Sequence, residues 1–270
     1  QIASSSKDIE QAVANRRRVI VGTNLYADLE EGKPESQQAD LASISQQRFN
    51  DFETFKQSRQ KTPNFNMLNK ALSASVEGSS SIIEAVIEAA ENGATLGEIS
   101  ATLASGSPAE LAIQPLTSRR DSEAYESLRD KADAYKDSMG NYPEVFLANM
   151  GPVSQHGARV DFSIDFLKPG GFLTISGNGF SSASEAADAA LNSNARIYIV
   201  CSTDETYPDL VPEFTKRVQA QQPDSVVAVA GFPKDHIEAF KSDGVDEFIH
   251  LRANNLEILT SFQKKAGVDQ

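Results

Sequence analysis

The sequence is poor in cysteine, histidine and tryptophan, and these absences exclude several kinds of protein. Cys201 is the only cysteine in 270 residues, so no disulfide can form within the chain. Freedom from disulfides is typical of the reducing cytoplasm, and we expect that location. The three histidines, at positions 156, 236 and 250, show no zinc-ligand spacing with Cys201. The composition therefore predicts neither a disulfide scaffold nor a zinc site.

The sequence also lacks long apolar runs and an excess of positive charge. No run approaches the roughly 18 apolar residues that a membrane span requires. The chain has 25 Lys+Arg against 38 Asp+Glu, a net charge of −13. A general nucleic-acid-binding protein needs a basic surface to neutralise phosphates, so we expect neither nucleic acid nor a membrane as a partner. The sequence begins at Gln1 without an initiator methionine or a signal-peptide pattern. We therefore expect it to be a piece of a longer chain.

Short apolar runs alternate with helical patterns in the second half of the chain. The runs are residues 145–149, 172–175, 196–201, 226–230 and 247–249. Helices are expected near 158–168, 184–193, 211–221, 235–243 and 255–266. Buried parallel strands are nearly continuous apolar runs, and their crossovers are right-handed. The pattern predicts an α/β fold with a flavodoxin-like, five-stranded parallel sheet in the order 2-1-3-4-5.

The first half of the chain is predicted to be mainly helical. We expect helices at 7–18, 41–60, 64–75, 80–92 and 122–139, a brief strand at 19–21, a linker at 25–38 and a loop at 104–120. Phe49, Phe52 and Phe55 share one helix face and are predicted to pack in a core. Gly93 is expected to end one helix, and Thr95 with Glu98 forms a capping-box pattern for the next. The predicted domains are 1–35, a helical region at 36–140, and the sheet domain at 141–270.

A ligand site in such a sheet is expected at the carboxyl ends of the strands, where the strand order reverses. The loops there are 151–158 and 202–208, with 231–234 beside them. His156 is either a ligand to a metal or cofactor, or a polar loop residue, and the loop has no Asp or Glu to orient it. Cys201 lacks a His–Asp partner in the sequence, and we interpret it as buried and inert. Asp204 or Asp209 could cap the helix expected near residue 211.

Signatures of other enzymes on this fold are missing. No GxGxxG motif follows the first strand, and the sequence has no GxxxxGK[ST] motif, so neither a dinucleotide site nor a phosphate-binding loop is predicted. A phosphoacceptor receiver domain shares the topology but needs acidic residues at the end of the first strand. That strand ends in Asn149-Met150-Gly151, so the receiver reading is not supported.

Several segments resemble the methylmalonyl-CoA mutase family. The stretch RRVIVGTN (17–24) is similar to the segment that follows the family's substrate barrel. The segments YPEVFLANMG (142–151), IVCSTDETYP (199–208), AGFPKD (230–235) and VDEFIHLRANNLEIL (245–259) resemble its cobalamin-type domain. The resemblance covers essentially the whole chain without the barrel, and implies a cobalamin-type flavodoxin-like domain preceded by a helical linker region.

The chain departs from this family at the cobalamin loop. Cobalamin-binding members carry Asp-x-His-x-x-Gly there, with the His on cobalt, the Asp orienting it, and the Gly admitting the nucleotide tail. Aligned through Gly151, these positions hold Val153, Gln155 and Ala158, and His156 is one place off. By resemblance, Ser202 and Gly231 fall in the tail groove. They and His156 are the candidate cofactor-binding residues, and no catalytic or metal-binding residue is predicted.

The altered loop is similar to that of the small, non-catalytic subunit of heterodimeric mutases. The resemblance implies that a large catalytic subunit is the partner and holds adenosylcobalamin and the acyl-CoA. The resemblance also implies that the complex interconverts methylmalonyl-CoA and succinyl-CoA by radical chemistry, while this chain is expected to stabilise the complex and to bind no cofactor itself. The alternatives are a functional cobalamin module that uses His156 in an acyl-CoA mutase, and a stand-alone interaction domain.

Overall fold

The structure is a computed structural model that describes residues 2–32, 40–59, 65–74, 80–104 and 120–268. The chain forms two compact units. The first comprises Gln1–Gly32 and Ser118–Gln270, and the second comprises Lys33–Thr117. The limits of these units come from packing within the chain and differ from the predicted domain boundaries at residues 35 and 140. The predicted domain boundaries stay a prediction.

The first unit contains a five-stranded parallel sheet, as predicted. Its strands are β1 (Glu144–Asn149), β2 (Leu173–Ser176), β3 (Ile197–Cys201), β4 (Val226–Ala230) and β5 (Glu247–Ile249), in the order β2-β1-β3-β4-β5. All four pairs of neighbouring strands are parallel. The flavodoxin-like fold is therefore confirmed, because each apolar run supplied one strand and each crossover a helix.

Helices flank the strands and precede them along the chain. In chain order they are α1 (Ile2–Ala14), α2 (Leu41–Ser58), α3 (Asn66–Ala74), α4 (Ser80–Glu91), α5 (Leu96–Leu103), α6 (Glu123–Met139), α7 (Val153–Leu167), α8 (Ala183–Leu191), α9 (Tyr207–Gln221), α10 (Ile237–Ser242) and α11 (Asn255–Ala266). A 3₁₀ turn, Lys168–Gly170, follows α7.

The sheet separates two apolar cores, because side chains alternate between its faces. On one face, Leu147 and Ile199 pack with residues of α1, α6, α7 and α11. On the other face, Ala148 and Tyr198 pack with residues of α8, α9 and α10. Both faces of the central strands are covered, which is why those strands could be recognised as continuous apolar runs.

The segment after α1 is held by a buried asparagine rather than by a strand. The Asn24 side chain accepts a hydrogen bond from the backbone N–H of Ile20 (2.8 Å) and donates to the carbonyls of Val13 and Arg18 (both 2.9 Å). The predicted strand at 19–21 is wrong, since only an isolated bridge between Val21 and Leu25 forms there. The buried amide satisfies the backbone groups that a sheet would otherwise pair.

The second unit has a small core from α3, α4 and α5. Leu68, Ala85, Ala89 and Ile99 are buried in it. The predicted capping box is confirmed, because the Thr95 side chain accepts from the Glu98 N–H and the Glu98 carboxylate accepts from the Thr95 N–H. Gly93 ends α4 in a left-handed conformation (φ 85°), also as predicted.

None of the side chains of helix α2 is buried. Phe49, Phe52 and Phe55 are 59%, 44% and 48% exposed, so the prediction that they pack in a core of this chain is wrong. Their shared face was recognised correctly, but helical periodicity alone does not say whether this chain provides the surface that covers it. Residues 33–38 of the predicted linker and residues 105–119 of the predicted loop lie outside the described residues.

Candidate functional site

The predicted loop after β1 is mostly helix. Gly151 turns the chain with φ 71°, Pro152 is the residue before the helix, and α7 begins at Val153, five residues earlier than expected. The prediction of a loop is therefore wrong from residue 153 onwards. Proline is favoured at a helix start because its missing N–H would have no intrahelical partner there. Val153, Gln155, His156 and Ala158 consequently lie on the first turns of a helix.

His156 is buried against the carboxyl end of β1. Its Nδ1 lies 3.1 Å from the carbonyl oxygen of Gly151 and 3.3 Å from that of Met150. The loop after β2 covers the ring closely, since a Cβ added at Gly179 would stand 3.1 Å from the histidine Cε1. The imidazole is thus fixed by backbone carbonyls on the side of the sheet where β2 lies.

Ser202 and Gly231 lie at neighbouring strand ends that the Tyr207 hydroxyl connects. This hydroxyl accepts a hydrogen bond from the Ser202 N–H (3.0 Å) and donates to the carbonyl of Ala230 (2.7 Å), next to Gly231. Burial raises the pKa of Tyr207, so the hydroxyl stays protonated. The Ser202 hydroxyl is paired with that of Thr206 at 2.7 Å. The polar groups at these two strand ends are therefore used within the protein.

Arg159, a residue that sequence reasoning did not single out, covers Gly231. Its guanidinium group lies about where a side chain on Gly231 would point, with Nη1 2.9 Å and Cζ 3.1 Å from an added Cβ. Its Nη2 also contacts the Asp204 carboxylate at 2.8 Å. The Arg159–Asp204 ion pair links α7 to the loop after β3 and fills the space above Gly231. The only sequence signal was a cation directly after Ala158 and an acid in the loop at 202–208.

Asp204 and Asp209 do not cap α9, which corrects the prediction. The helix begins at Tyr207 rather than near residue 211, and Thr206 precedes it without a side-chain capping bond. Asp204 is instead the partner of Arg159. Asp209 lies in the first helical turn, where a carboxylate favours the helix dipole.

Cys201 is completely buried at the end of β3. Burial raises the pKa of its thiol to about 12, although Ser163 and Arg159 partly oppose the shift. Its sulfur lies 3.7 Å from the Ser163 hydroxyl. A protonated, buried thiol is a poor nucleophile, which agrees with the interpretation of this cysteine as inert.

Among the described residues, no group of three or more His, Cys, Asp or Glu side chains is arranged to hold a metal ion. Of the helices in the described ranges, none is both long and apolar enough to cross a membrane.

Comparisons with known proteins agree on one family. Residues 1–108 match the family model for methylmalonyl-CoA mutase. A methylmalonyl-CoA mutase small subunit from Porphyromonas gingivalis is 32% identical over 156 residues, which are 58% of this chain and 24% of that protein. The small subunit from Streptomyces virginiae is 30% identical over 150 residues, or 56% of this chain and 23% of that protein.

A methylmalonyl-CoA mutase from Rhizobium meliloti is 24% identical over 245 residues, which are 87% of this chain and 34% of that protein. The matched region is 24% of the Porphyromonas relative and 23% of the Streptomyces relative, so the chain spans about a quarter of each of these small subunits. The family model matches the N-terminal part, and the two small subunits each match more than half of the chain. From these matches, the chain is similar to methylmalonyl-CoA mutases, and proteins named as their small subunits are among its relatives.

Proposed function

We propose that this chain is the C-terminal part of the small subunit of a heterodimeric methylmalonyl-CoA mutase, with a structural role. In this proposal a large partner subunit holds adenosylcobalamin and the acyl-CoA, and the complex interconverts methylmalonyl-CoA and succinyl-CoA. The cofactor supplies the radical chemistry in that subunit. This chain contributes no catalytic residue and has a cytoplasmic location. Support comes from the relatives that are named small subunits. Further support comes from Arg159, which fills the space at Gly231 on the carboxyl edge of the sheet.

The observation that carries the structural role is the Arg159 guanidinium above Gly231. The family resemblance places the cobalamin tail in the groove at Ser202 and Gly231, and Arg159 with Asp204 fills the space at Gly231. The residues at the cobalt side do not fit the cofactor either. Val153 cannot accept a hydrogen bond, and Gln155 is a poor cobalt ligand. The site therefore fits cobalamin badly at both ends, and no step of the reaction is assigned to it.

The second unit supports a role in assembly. Phe52 and Phe55 of α2 are exposed, as are Ile83 and Ile87 of α4. Large apolar side chains that cluster on a surface mark sites of interaction with other proteins more often than isolated ones do. We propose that these faces contact other parts of the mutase complex, which is why they are apolar although this unit leaves them uncovered.

The proposal is tested by titrating the purified chain with hydroxocobalamin and with adenosylcobalamin while visible spectra are recorded. We expect no spectral shift and no co-elution at high micromolar cofactor. A saturable shift that His156→Ala abolishes and His236→Ala preserves would overturn the proposal. The His236 variant is the matched control, because it removes a histidine outside the candidate site.

A second candidate function is a cobalamin module that uses His156. One observation favours it: backbone carbonyls fix Nδ1, as they do in histidines that bind metals through the other nitrogen. This candidate predicts the histidine-dependent shift described above. A stand-alone interaction domain is the third reading, and it predicts that the chain has no affinity for a large mutase subunit.

A further inference from the structure

Strand β2 forms one edge of the sheet, and this edge carries no charge. The strand order leaves β2 at the end, and in the described ranges no strand pairs with its outer side. The run from Pro169 to Ser184, which includes β2, has no charged residue, although 23% of the chain is charged. Leu173 of β2 is 43% exposed. We call the outer side of β2 the neutral edge.

The backbone of Thr174 faces outward at the neutral edge. The N–H of Leu173 donates to the carbonyl of Pro143 at 2.9 Å, on the side of β1. Backbone groups of successive residues in a strand point to opposite sides, so the N–H and C=O of Thr174 point away from β1. Outward backbone groups of an edge strand are a template for pairing with another strand. The neutral edge therefore offers hydrogen bonds that β1 does not use.

The opposite edge of the sheet is protected by charge. Strand β5 contains Glu247 and directly follows Asp246. The Glu247 carboxylate accepts a hydrogen bond from the Phe248 N–H at 2.9 Å. Charged side chains and proline are common means by which an edge strand avoids pairing, and β2 contains neither. The contrast indicates that pairing is prevented at β5 and permitted at β2.

We propose that the neutral edge pairs with the neutral edge of a second copy of this chain, as two antiparallel β2 strands. The choice of partner follows from charge. Each copy carries a net charge of −13, so two copies repel one another unless they meet at a surface without charge. A two-fold axis at Thr174 lets this residue exchange both backbone hydrogen bonds with its counterpart, so the contact is self-complementary.

The short strand limits the strength of this contact. Strand β2 has four residues, so the interface is small and the dimer is weak and reversible. The inference does not depend on the proposed function, because it uses no residue of the candidate cofactor site.

The test is analytical ultracentrifugation of the full chain from low micromolar to millimolar concentration. We expect a reversible increase from the mass of one chain towards that of two. Sodium chloride should strengthen the dimer, because salt screens the repulsion between two acidic copies. Amide signals of the ¹⁵N-labelled chain should shift with concentration at residues 172–177. A constant mass of one chain overturns the inference, as does a dimer whose amide shifts lie at α2 and not at residues 172–177.

Two variants of Thr174 decide whether β2 is the contact. Thr174→Pro removes the outward N–H and leaves the hydrogen bonds to β1 in place, and proline is tolerated in edge strands with this orientation. Thr174→Lys keeps the N–H but places like charges opposite each other across the axis. Each variant should weaken dimerisation at least about tenfold, because the two-fold axis makes every substitution act twice.

The control for the added charge is Thr260→Lys. It makes the same substitution at an exposed position of α11 and should leave dimerisation unchanged. Circular dichroism establishes that each variant is folded before it is compared. The inference is overturned by equal weakening in the control, or by unchanged dimerisation in both Thr174 variants.

Discussion

At the scale of single residues, a buried polar network ties the N-terminal segment to the sheet. The Tyr125 hydroxyl lies 3.0 Å from Oδ1 of Asn255 and 3.3 Å from the carbonyl of Ala14. The Asn255 amide donates to the carbonyl of Phe166 at 2.9 Å. Burial raises the pKa of Tyr125, so its hydroxyl remains a donor across the accessible pH range. The network connects α1, α6, α7 and α11, which are far apart in sequence.

Removal of one hydroxyl from this network should destabilise the sheet unit. Tyr125→Phe leaves the Asn255 oxygen without its donor, and an unsatisfied buried group costs about 1–3 kcal/mol. We expect a loss of that size in the free energy of unfolding measured with urea. Tyr26→Phe is the matched control, because Tyr26 is 66% exposed, and it should change stability by less than about 0.5 kcal/mol. Equal effects of the two variants would contradict the role of the network.

Cys201 should not react in the native protein. Its pKa of about 12 leaves almost no thiolate at pH 8, and the sulfur is fully buried. We expect iodoacetamide to label the native chain slowly at pH 8 and to label it completely in denaturant, as measured by mass spectrometry. Rapid labelling of the native chain at pH 8 would show that the thiol is accessible and ionised.

At the scale of secondary-structure elements, the start of α5 combines a capping box with an ion pair. Arg59 donates to both carboxylate oxygens of Glu98, at 2.9 and 3.1 Å, and Thr95 completes the box. The hydrogen bond from Arg59 and the backbone N–H of Thr95 lower the pKa of Glu98 to about 2. The ionised glutamate therefore stabilises the second unit fully above its unfolded pKa near 4.5, and this contribution is lost as pH falls towards 2.

Two variants separate the ion pair from the cap. Glu98→Gln can keep the capping box, since glutamine is accepted at that position, but it loses the charge. We expect its stability to vary less between pH 5 and pH 3 than that of the parent chain. Thr95→Ala should cost about 1 kcal/mol at neutral pH and keep the acid dependence. The measurement is a urea titration in which NMR amide signals of residues in the second unit report its unfolding. An unchanged acid dependence in Glu98→Gln would contradict the role of the ion pair.

The exposed face of α2 should contribute little to the stability of the chain. Phe52→Ala removes a ring that this unit does not bury, so the free energy of unfolding should change by less than about 0.5 kcal/mol. Leu68→Ala in α3 is the comparison, because Leu68 is buried and its truncation should cost about 2–5 kcal/mol. Urea unfolding of both variants tests the difference. A large loss in Phe52→Ala would mean that α2 is covered within the chain.

Helices and strands were predicted correctly where a sequence pattern had one physical explanation, and incorrectly where it had two. The runs at 226–230 and 247–249 gave β4 and β5 with the predicted bounds. Strand β4 is apolar throughout because it is buried at every position. The apolar spacing in α2 identified a helix face but not the surface that covers it. The start of α7 was placed too late because residues 153–158 have little apolar periodicity, whereas Pro152 marked the helix start.

At the scale of the whole molecule, the fold was more predictable than the site. The observed strand order is the flavodoxin-like order that alternating strands and helices with right-handed crossovers suggested. The positions of Ser202 and Gly231 at strand ends followed from the same topology. The role of Arg159 did not, because its contact with Gly231 and Asp204 depends on where α7 begins and on how the side chain bends across the strand ends.

Under the proposed function, the carboxyl edge of this sheet does not bind cobalamin through a histidine. The most direct measurement is the electron paramagnetic resonance spectrum of cob(II)alamin added to two samples of the chain, one with natural histidine and one with [¹⁵N]histidine. We expect the spectrum of free cob(II)alamin in both samples. A nitrogen splitting that changes with the histidine isotope would show a histidine bound to cobalt and would contradict the proposed function.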